Sequence, residues 1–249
     1  MKIWILFMCI SVSLYAIDAV KQAEEAYSDG KYLKAKKILK KAANKGDAQA
    51  QYNLAYMFEQ GRGIEQNNTI ALKWYEKSAQ NKNLDAQYRL GELYYDGLYV
   101  PQDYTIAIEW YRKAADQNDT QAQYNLGYMY EHGEGAKQEY TKALEWYEKS
   151  ATQGYINAQY NTATFYYEGR GITQNYKKAL YWYTEAAKNG DSNAQYNLGV
   201  MYVKAEGVKR NKMIAFEYWL AAAKGSNSEA EDSLDILCKE SPWACNNRD

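Results

Sequence analysis

Apolar residues along this chain recur at helical spacing, and the spacing itself recurs. Ala71, Leu72, Trp74, Tyr75, Ser78 and Ala79 stand at i, i+1, i+3, i+4, i+7 and i+8, which is one face of a helix, with Lys73, Glu76 and Lys77 on the other. Upstream, Ala50, Leu54 and Phe58 form a matching stripe at i, i+4 and i+8. Both stripes return every 36 residues without insertion. The first reappears around Trp110–Tyr111, Trp146–Tyr147 and Trp182–Tyr183, and in altered form as Tyr218–Trp219. The second reappears as Ala-Gln-Tyr at 86–88, 122–124, 158–160 and 194–196, then fades at Ala230-Glu231-Asp232. A step of 36 residues that pairs two amphipathic helices predicts an all-α solenoid of stacked helix-turn-helix repeats, because one such pair cannot bury its own apolar face.

Glycine punctuates the pattern where helices must stop. Gly61-Arg62-Gly63, Gly133-Glu134-Gly135 and Gly169-Arg170-Gly171, with Gly97 and Gly207, separate the first helix (A) from the second (B). Gly46, Asn118, Gly154 and Gly190 separate B from the next A, and these residue types tolerate a left-handed backbone. The expected organisation is five repeats at 47–82, 83–118, 119–154, 155–190 and 191–226. A shortened helix pair at 17–46, with Ile38 and Leu39 in the Trp-Tyr position, caps the front. A helix and tail at 227–249 cap the end.

Composition narrows the function classes. Lys plus Arg number 30 against 31 Asp plus Glu, so the basic footprint of a nucleic-acid binder is missing. The first 16 residues depart from the rest: Met1-Lys2 precedes an apolar run from Ile3 to Leu14, and Ala16 offers a cleavage point. That run is too short for a bilayer span of about 20 residues and matches a cleavable secretory signal, predicting a periplasmic or secreted protein. Cys9 would leave with the signal, and Cys238 and Cys245 are then expected to close one disulfide around Pro242 and Trp243. With a single histidine in the chain, no metal site and no cofactor are expected.

The unit Ala-x-Tyr-Asn-Leu-Gly, then Gly-x-Gly, then Ala-x-x-Trp-Tyr-x-Lys-Ala-Ala resembles the Sel1-like repeat, a relative of the tetratricopeptide repeat, most closely over residues 47–224. The resemblance implies a right-handed superhelix whose A helices line the concave face. It also implies a non-catalytic adaptor of the bacterial envelope or secreted space that binds a protein or peptide. On that analogy the face presents Tyr52, Asn53, Tyr56 and Glu59, then Arg89 and Glu92, then Tyr124, Asn125, Tyr128 and Glu131, then Asn161 and Asn197. Asn both donates to and accepts from a peptide backbone, and Tyr gives rigid contact area with a polar tip. Arg89 interrupts the Asn row and is expected to meet a carboxylate. The other reading of these rows is that the tyrosines pack between A helices and the asparagines bridge neighbours.

The rival class is a β-lactamase or other peptidoglycan-acting hydrolase, an activity associated with a cysteine-rich branch of the resembled family. That branch carries a cysteine pair in each unit, whereas this chain has only the terminal pair. Ser28-Asp29-Gly30-Lys31 fits Ser-x-x-Lys, but it falls in a predicted turn without the companion elements. The lone His132 ends an A helix, where a cation suits the helix dipole. Two further segments, Glu65–Thr69 and Asp116–Thr120, resemble the acidic-x-Asn-x-Thr acceptor of bacterial N-glycosylation and make Asn67 and Asn118 candidate modification sites.

Overall fold

A computed structural model describes residues 19–241, and within them every regular element is an α-helix. The A helices are α1 (19–28), α3 (Ala48–Gln60), α5 (Leu84–Asp96), α7 (Thr120–His132), α9 (Ile156–Glu168) and α11 (Ser192–Lys204). The B helices are α2 (Tyr32–Ala43), α4 (Asn68–Gln80), α6 (Tyr104–Ala115), α8 (Tyr140–Thr152), α10 (Tyr176–Lys188) and α12 (Lys212–Lys224). A final helix, α13 (Ser228–Glu240), packs on α12. On either side of α7, consecutive helices pack in pairs and pairs stack in order, which makes the chain an all-α solenoid. It divides into two compact units, Met1–Ala122 and Gln123–Asp249. The expected signal at 1–16 and Cys245 lie outside the described residues. Cys238 lies on α13.

Each helix starts and stops for a local reason. Asp47, Asn83, Asp119, Asp191 and Asn227 precede A-type helices, and each accepts a hydrogen bond from the backbone N–H three residues on. Asn67, Asp103, Asn175 and Asn211 cap the B helices in the same way. The A-to-B turn needs two residues with positive φ, two apart. Glycine fills both places at Gly61 and Gly63, Gly133 and Gly135, and Gly169 and Gly171. In the other two turns one place is filled by Tyr99 (φ 64°) or Ala205 (φ 62°). The B-to-A turn needs one, taken by Gly46, Gly154 and Gly190 and by Asn118, as the pattern predicts. Lys82 and Ser226 take it in the remaining copies despite their Cβ atoms.

The core repeats with the sequence. Tyr75, Tyr111, Tyr147 and Tyr183 on the B helices are buried, and Trp219 holds the place in the last copy. Opposite each lies a small residue of the A helix. A Cβ on Gly91 would come within 2.5 Å of the Tyr111 ring, and one on Gly127 within 2.5 Å of Tyr147. Gly199 faces Trp219 in the same way. The Leu-Gly step in the repeat therefore sets how closely B approaches A. Trp74 is only half-buried, with Lys77 Nζ 4.5 Å from its ring centroid, so the Trp-Tyr pair divides into a shielded rim and a buried core residue.

The glutamine of the motif joins three helices. Gln51 is buried, and its Nε2 donates to Ala43 O at the end of α2, 3.0 Å away. Its Oε1 accepts from Asn81 Nδ2, just past α4, at 2.9 Å. Gln87 repeats this with Ala79 O and Gln117, and Gln159 with Ala151 O and Asn189. A buried amide satisfied on both sides fixes the step between repeats, since any slip leaves polar groups unpaired.

Candidate functional site

The A helices carry the expected surface positions, and the structure sorts them into two kinds. Tyr52 is half-buried with its ring 5.5 Å from that of Tyr75, and Tyr124 lies 5.6 Å from Tyr147 and 5.1 Å from Tyr155. These two tyrosines pack inward against the B-helix phenols. Asn161 lies near the hydroxyls of Tyr124 and Tyr147 and offsets part of the rise that burial gives both phenols. Asn53 accepts from Gln49 at 3.0 Å and donates to Glu24 at 3.3 Å. Tyr56 is 38% exposed, while Asn125 and Asn197 are half-buried. Tyr128 stacks on the His132 ring at 4.0 Å, and His132 Nδ1 lies 2.9 Å from Tyr128 O.

Arg89 meets its carboxylates within the chain. Its guanidinium donates to Glu59 Oε1 at 2.5 Å and to Glu92 Oε2 at 2.9 Å. Glu59, expected on the presented face, is 4% exposed and accepts a second bond from Tyr75 Oη at 2.8 Å. Burial works against the Arg89 charge, but the hydrogen bonds it donates to Glu59 and Glu92 outweigh it and hold the guanidinium above its ordinary pKa. Burial, with the Glu59 charge behind it, pushes the Tyr75 phenol well above its ordinary value. The second unit repeats the device with a different cation: Glu131 accepts from Tyr147 Oη at 2.7 Å and from Arg170 at 2.6 Å, and Arg170 also holds Glu168. Sequence reasoning missed this network because Arg89 comes from the A-helix row and Arg170 from a turn. The available signal was Glu at 59 and 131 in phase with the buried tyrosine, with Tyr95 and Tyr167 in the copy between and the copy after.

A cavity of about 220 Å³ opens between α1, α2 and α3, lined by Glu24, Tyr27, Leu39, Asn53, Tyr56 and Met57. Asn53 and Tyr56 of the expected surface border it. The Tyr27 hydroxyl is buried and has no hydrogen-bond partner.

The groups weighed for chemistry are dispersed. Ser28 Oγ donates to Glu25 O, and Lys31 Nζ pairs with Asp29, so the Ser-x-x-Lys pair is not arranged as nucleophile and base. Among the described residues no group of three or more His, Cys, Asp or Glu could hold a metal ion. No helix among them is long and apolar enough to cross a membrane. Asn67 is an exposed N-cap whose Oδ1 accepts from Ile70 N–H, and Asn118 is exposed in the left-handed turn before α7.

Comparison with known proteins places this architecture. The Sel1 repeat matches at residues 26–47, 48–83, 84–119, 120–155, 156–191 and 192–227. A protective antigen of uropathogenic Escherichia coli strains, with an SLR fold, is 32% identical with a TM-score of 0.85, covering 92% of this chain and 50% of its own. This chain thus spans half the length of that relative. A Sel1 repeat protein from Oxalobacter formigenes is 32% identical with a TM-score of 0.80, over 88% of this chain and 90% of its own. The C-terminal part of a TPR repeat-containing protein from Cytophaga hutchinsonii shares the fold at 17% identity and a TM-score of 0.53, over 87% and 86% of the two chains. No curated protein matches.

Proposed function

We propose, on the premise that this chain belongs to the Sel1 repeat family, that it is a non-catalytic adaptor that binds a protein or peptide on its A-helix face. Sel1 repeat proteins in general are protein-interaction scaffolds. The observation that carries the reading is the contrast between two sets of polar side chains. Glu59 and Arg89 are spent on joining repeats, while Tyr56 stands 38% exposed on the A-helix face, where Asn125 and Asn197 are also open in part. A phenol on α3 and amides on α7 and α11, each held on a rigid helix, suit a peptide backbone and its side chains.

The test is affinity capture from the native envelope fraction, wild type against a Tyr56, Asn125, Asn197→Ala triple variant that spares the buried networks. A protein retained by the wild type and weakened at least about tenfold in the variant supports the A-helix face. Equal capture by both moves the binding surface elsewhere. No capture by the wild type sinks the adaptor reading, and β-lactam and muropeptide turnover become the assays to run.

The same reading makes the protein periplasmic or secreted, with residues 1–16 cleaved and Cys238 paired with Cys245. Intact mass of the native protein checks both at once: loss of the first 16 residues, and a mass two hydrogens below the fully reduced chain. Sugar added at Asn67 or Asn118 would register in the same spectrum.

A further inference from the structure

We propose that the cavity between α1, α2 and α3 is a pocket for one tyrosine side chain of the protein partner, a refinement that rests on the adaptor reading above. The argument starts from the repeat. One step of 36 residues takes Leu39 to Tyr75, and further steps reach Tyr111, Tyr147 and Tyr183. Each of these phenols is buried against the A helices of its own and the following repeat region, and Tyr75 ends its side chain on Glu59, which Arg89 of α5 also holds. The first pair alone carries leucine at this place, and Leu39 stops short of the position a phenol reaches elsewhere. The unfilled space is the cavity: about 220 Å³, with Leu39 and Met57 among its walls and Asn53 in the register of Arg89.

Size and chemistry select the occupant. A cavity of about 150 Å³ takes a benzene ring, whereas drug-sized ligands need roughly 300 Å³ or more. This pocket therefore fits one aromatic side chain. Its walls are the apolar Leu39 and Met57 and the aromatic Tyr27 and Tyr56, which favour a ring over a charged group. A phenol in this space brings its hydroxyl to Asn53, which stands in the register of Arg89 and whose amide both donates and accepts, so a ring that carries a hydroxyl is favoured. Asn53 and Glu24, already hydrogen-bonded to each other, form a polar edge able to meet the backbone on either side of that tyrosine. Tyr56 is both a wall of the pocket and the most exposed of the expected surface residues, which ties the pocket to the A-helix face.

The probes are N-acetyl-Gly-Tyr-Gly-amide and its Phe and Leu analogues, titrated to about 10 mM and followed by methyl NMR of Met57. The expected result is a saturable Met57 shift with a dissociation constant on the order of 1 mM. The Tyr peptide should bind about 2- to 10-fold more tightly than Phe, the worth of one net hydrogen bond, and Leu should be weakest. Asn53→Leu should make Tyr and Phe bind alike. Leu39→Tyr, which restores the residue of the other repeats, should fill the pocket from within and abolish binding with an undiminished melting temperature. The proposal is overturned by a Met57 signal that does not move, by a Leu peptide that binds as tightly as Tyr, or by a folded Leu39→Tyr protein that binds like wild type. Capture separates it from the adaptor reading. If Leu39→Tyr retains the captured partner as well as wild type does, the pocket falls and the adaptor stands. If the peptide preference holds but wild type captures no protein, the adaptor falls and the tyrosine pocket stands.

Discussion

At the scale of single residues, the turns and the buried carboxylates are where one substitution has a defined sign. Ala205 sits at φ 62°, at the step where Gly61, Gly97, Gly133 and Gly169 stand in the other repeats. A Cβ in that conformation costs about 1–2 kcal/mol, while glycine's extra freedom in the unfolded chain costs about 0.5–1 kcal/mol. The strain outweighs the entropy, so Ala205→Gly should stabilise by about 0.5–1 kcal/mol, and Gly169→Ala should destabilise by a similar amount. Urea denaturation of the pair measures both signs. Glu59 presents the opposite case. It accepts from Tyr75 and Arg89 while 4% exposed, so Glu59→Ala strands a buried phenol and a half-buried guanidinium. The loss should be about 2–4 kcal/mol, toward the lower end because Arg89 keeps Glu92. A loss below about 0.5 kcal/mol in the same titration would show that the network is solvated in solution.

At the scale of helices, the distance between A and B is set by one small residue. Gly127 allows the Tyr147 ring to lie where a Cβ would be 2.5 Å from it. Ala55 and Ala163 hold the same place in other repeats, each fully buried, so a methyl is accommodated by a modest ring shift. Gly127→Ala should therefore cost no more than about 1 kcal/mol and Gly127→Val about 3 kcal/mol, since a branched side chain has no space to shift into. Thermal melts of the two variants separate these outcomes. Helix positions, phases and most turn residues were legible in the sequence because period and glycine report directly on backbone geometry. The first B helix, expected within the pair at 17–46, runs Tyr32–Ala43, and the closing helix, expected within 227–249, runs Ser228–Glu240. What stayed hidden were roles decided by a partner some 30 residues away. Gln51 reads as a surface amide until Asn81 and Ala43 are brought to it, and the carboxylate expected at Arg89 has no address until Glu59 reaches it from the preceding repeat. Lys82 and Ser226 were invisible as left-handed residues, because the tertiary step imposes the conformation against their own preference.

At the scale of the whole molecule, repetition turns one local property into a response to pH. A phenol whose pKa is raised in the folded chain contributes to pH-dependent stability, and Tyr52, Tyr94, Tyr124, Tyr166, Tyr167 and Tyr218 are raised as well as the B-helix phenols Tyr75, Tyr147 and Tyr183. The B-helix three are the most fully buried of them. Burial raises all three above the ordinary 10.0, reinforced by Glu59 at Tyr75, by Glu131 at Tyr147 and by neighbouring tyrosines and Glu168 at Tyr183. The folded chain thus keeps these protons after the unfolded chain has begun to lose them. Below pH 10 both states hold the protons, and the three contribute no slope. Above it the unfolded state binds fewer protons than the native one, so stability falls as pH rises. Each phenol should contribute about 1.4 kcal/mol per pH unit, or about 4 kcal/mol per unit for the three together. Denaturant titrations at pH 9, 10 and 11 should therefore show a flat region followed by a steep decline. Absorbance at 295 nm should report these tyrosinates appearing together with unfolding rather than before it. Tyr147→Phe isolates one contribution: Glu131 still holds Arg170, so the variant should fold, and its decline above pH 10 should be shallower by about 1.4 kcal/mol per unit. A variant whose alkaline slope equals that of the wild type would show that Tyr147 ionises in place, and that the Tyr147 contact with Glu131 does not hold its proton.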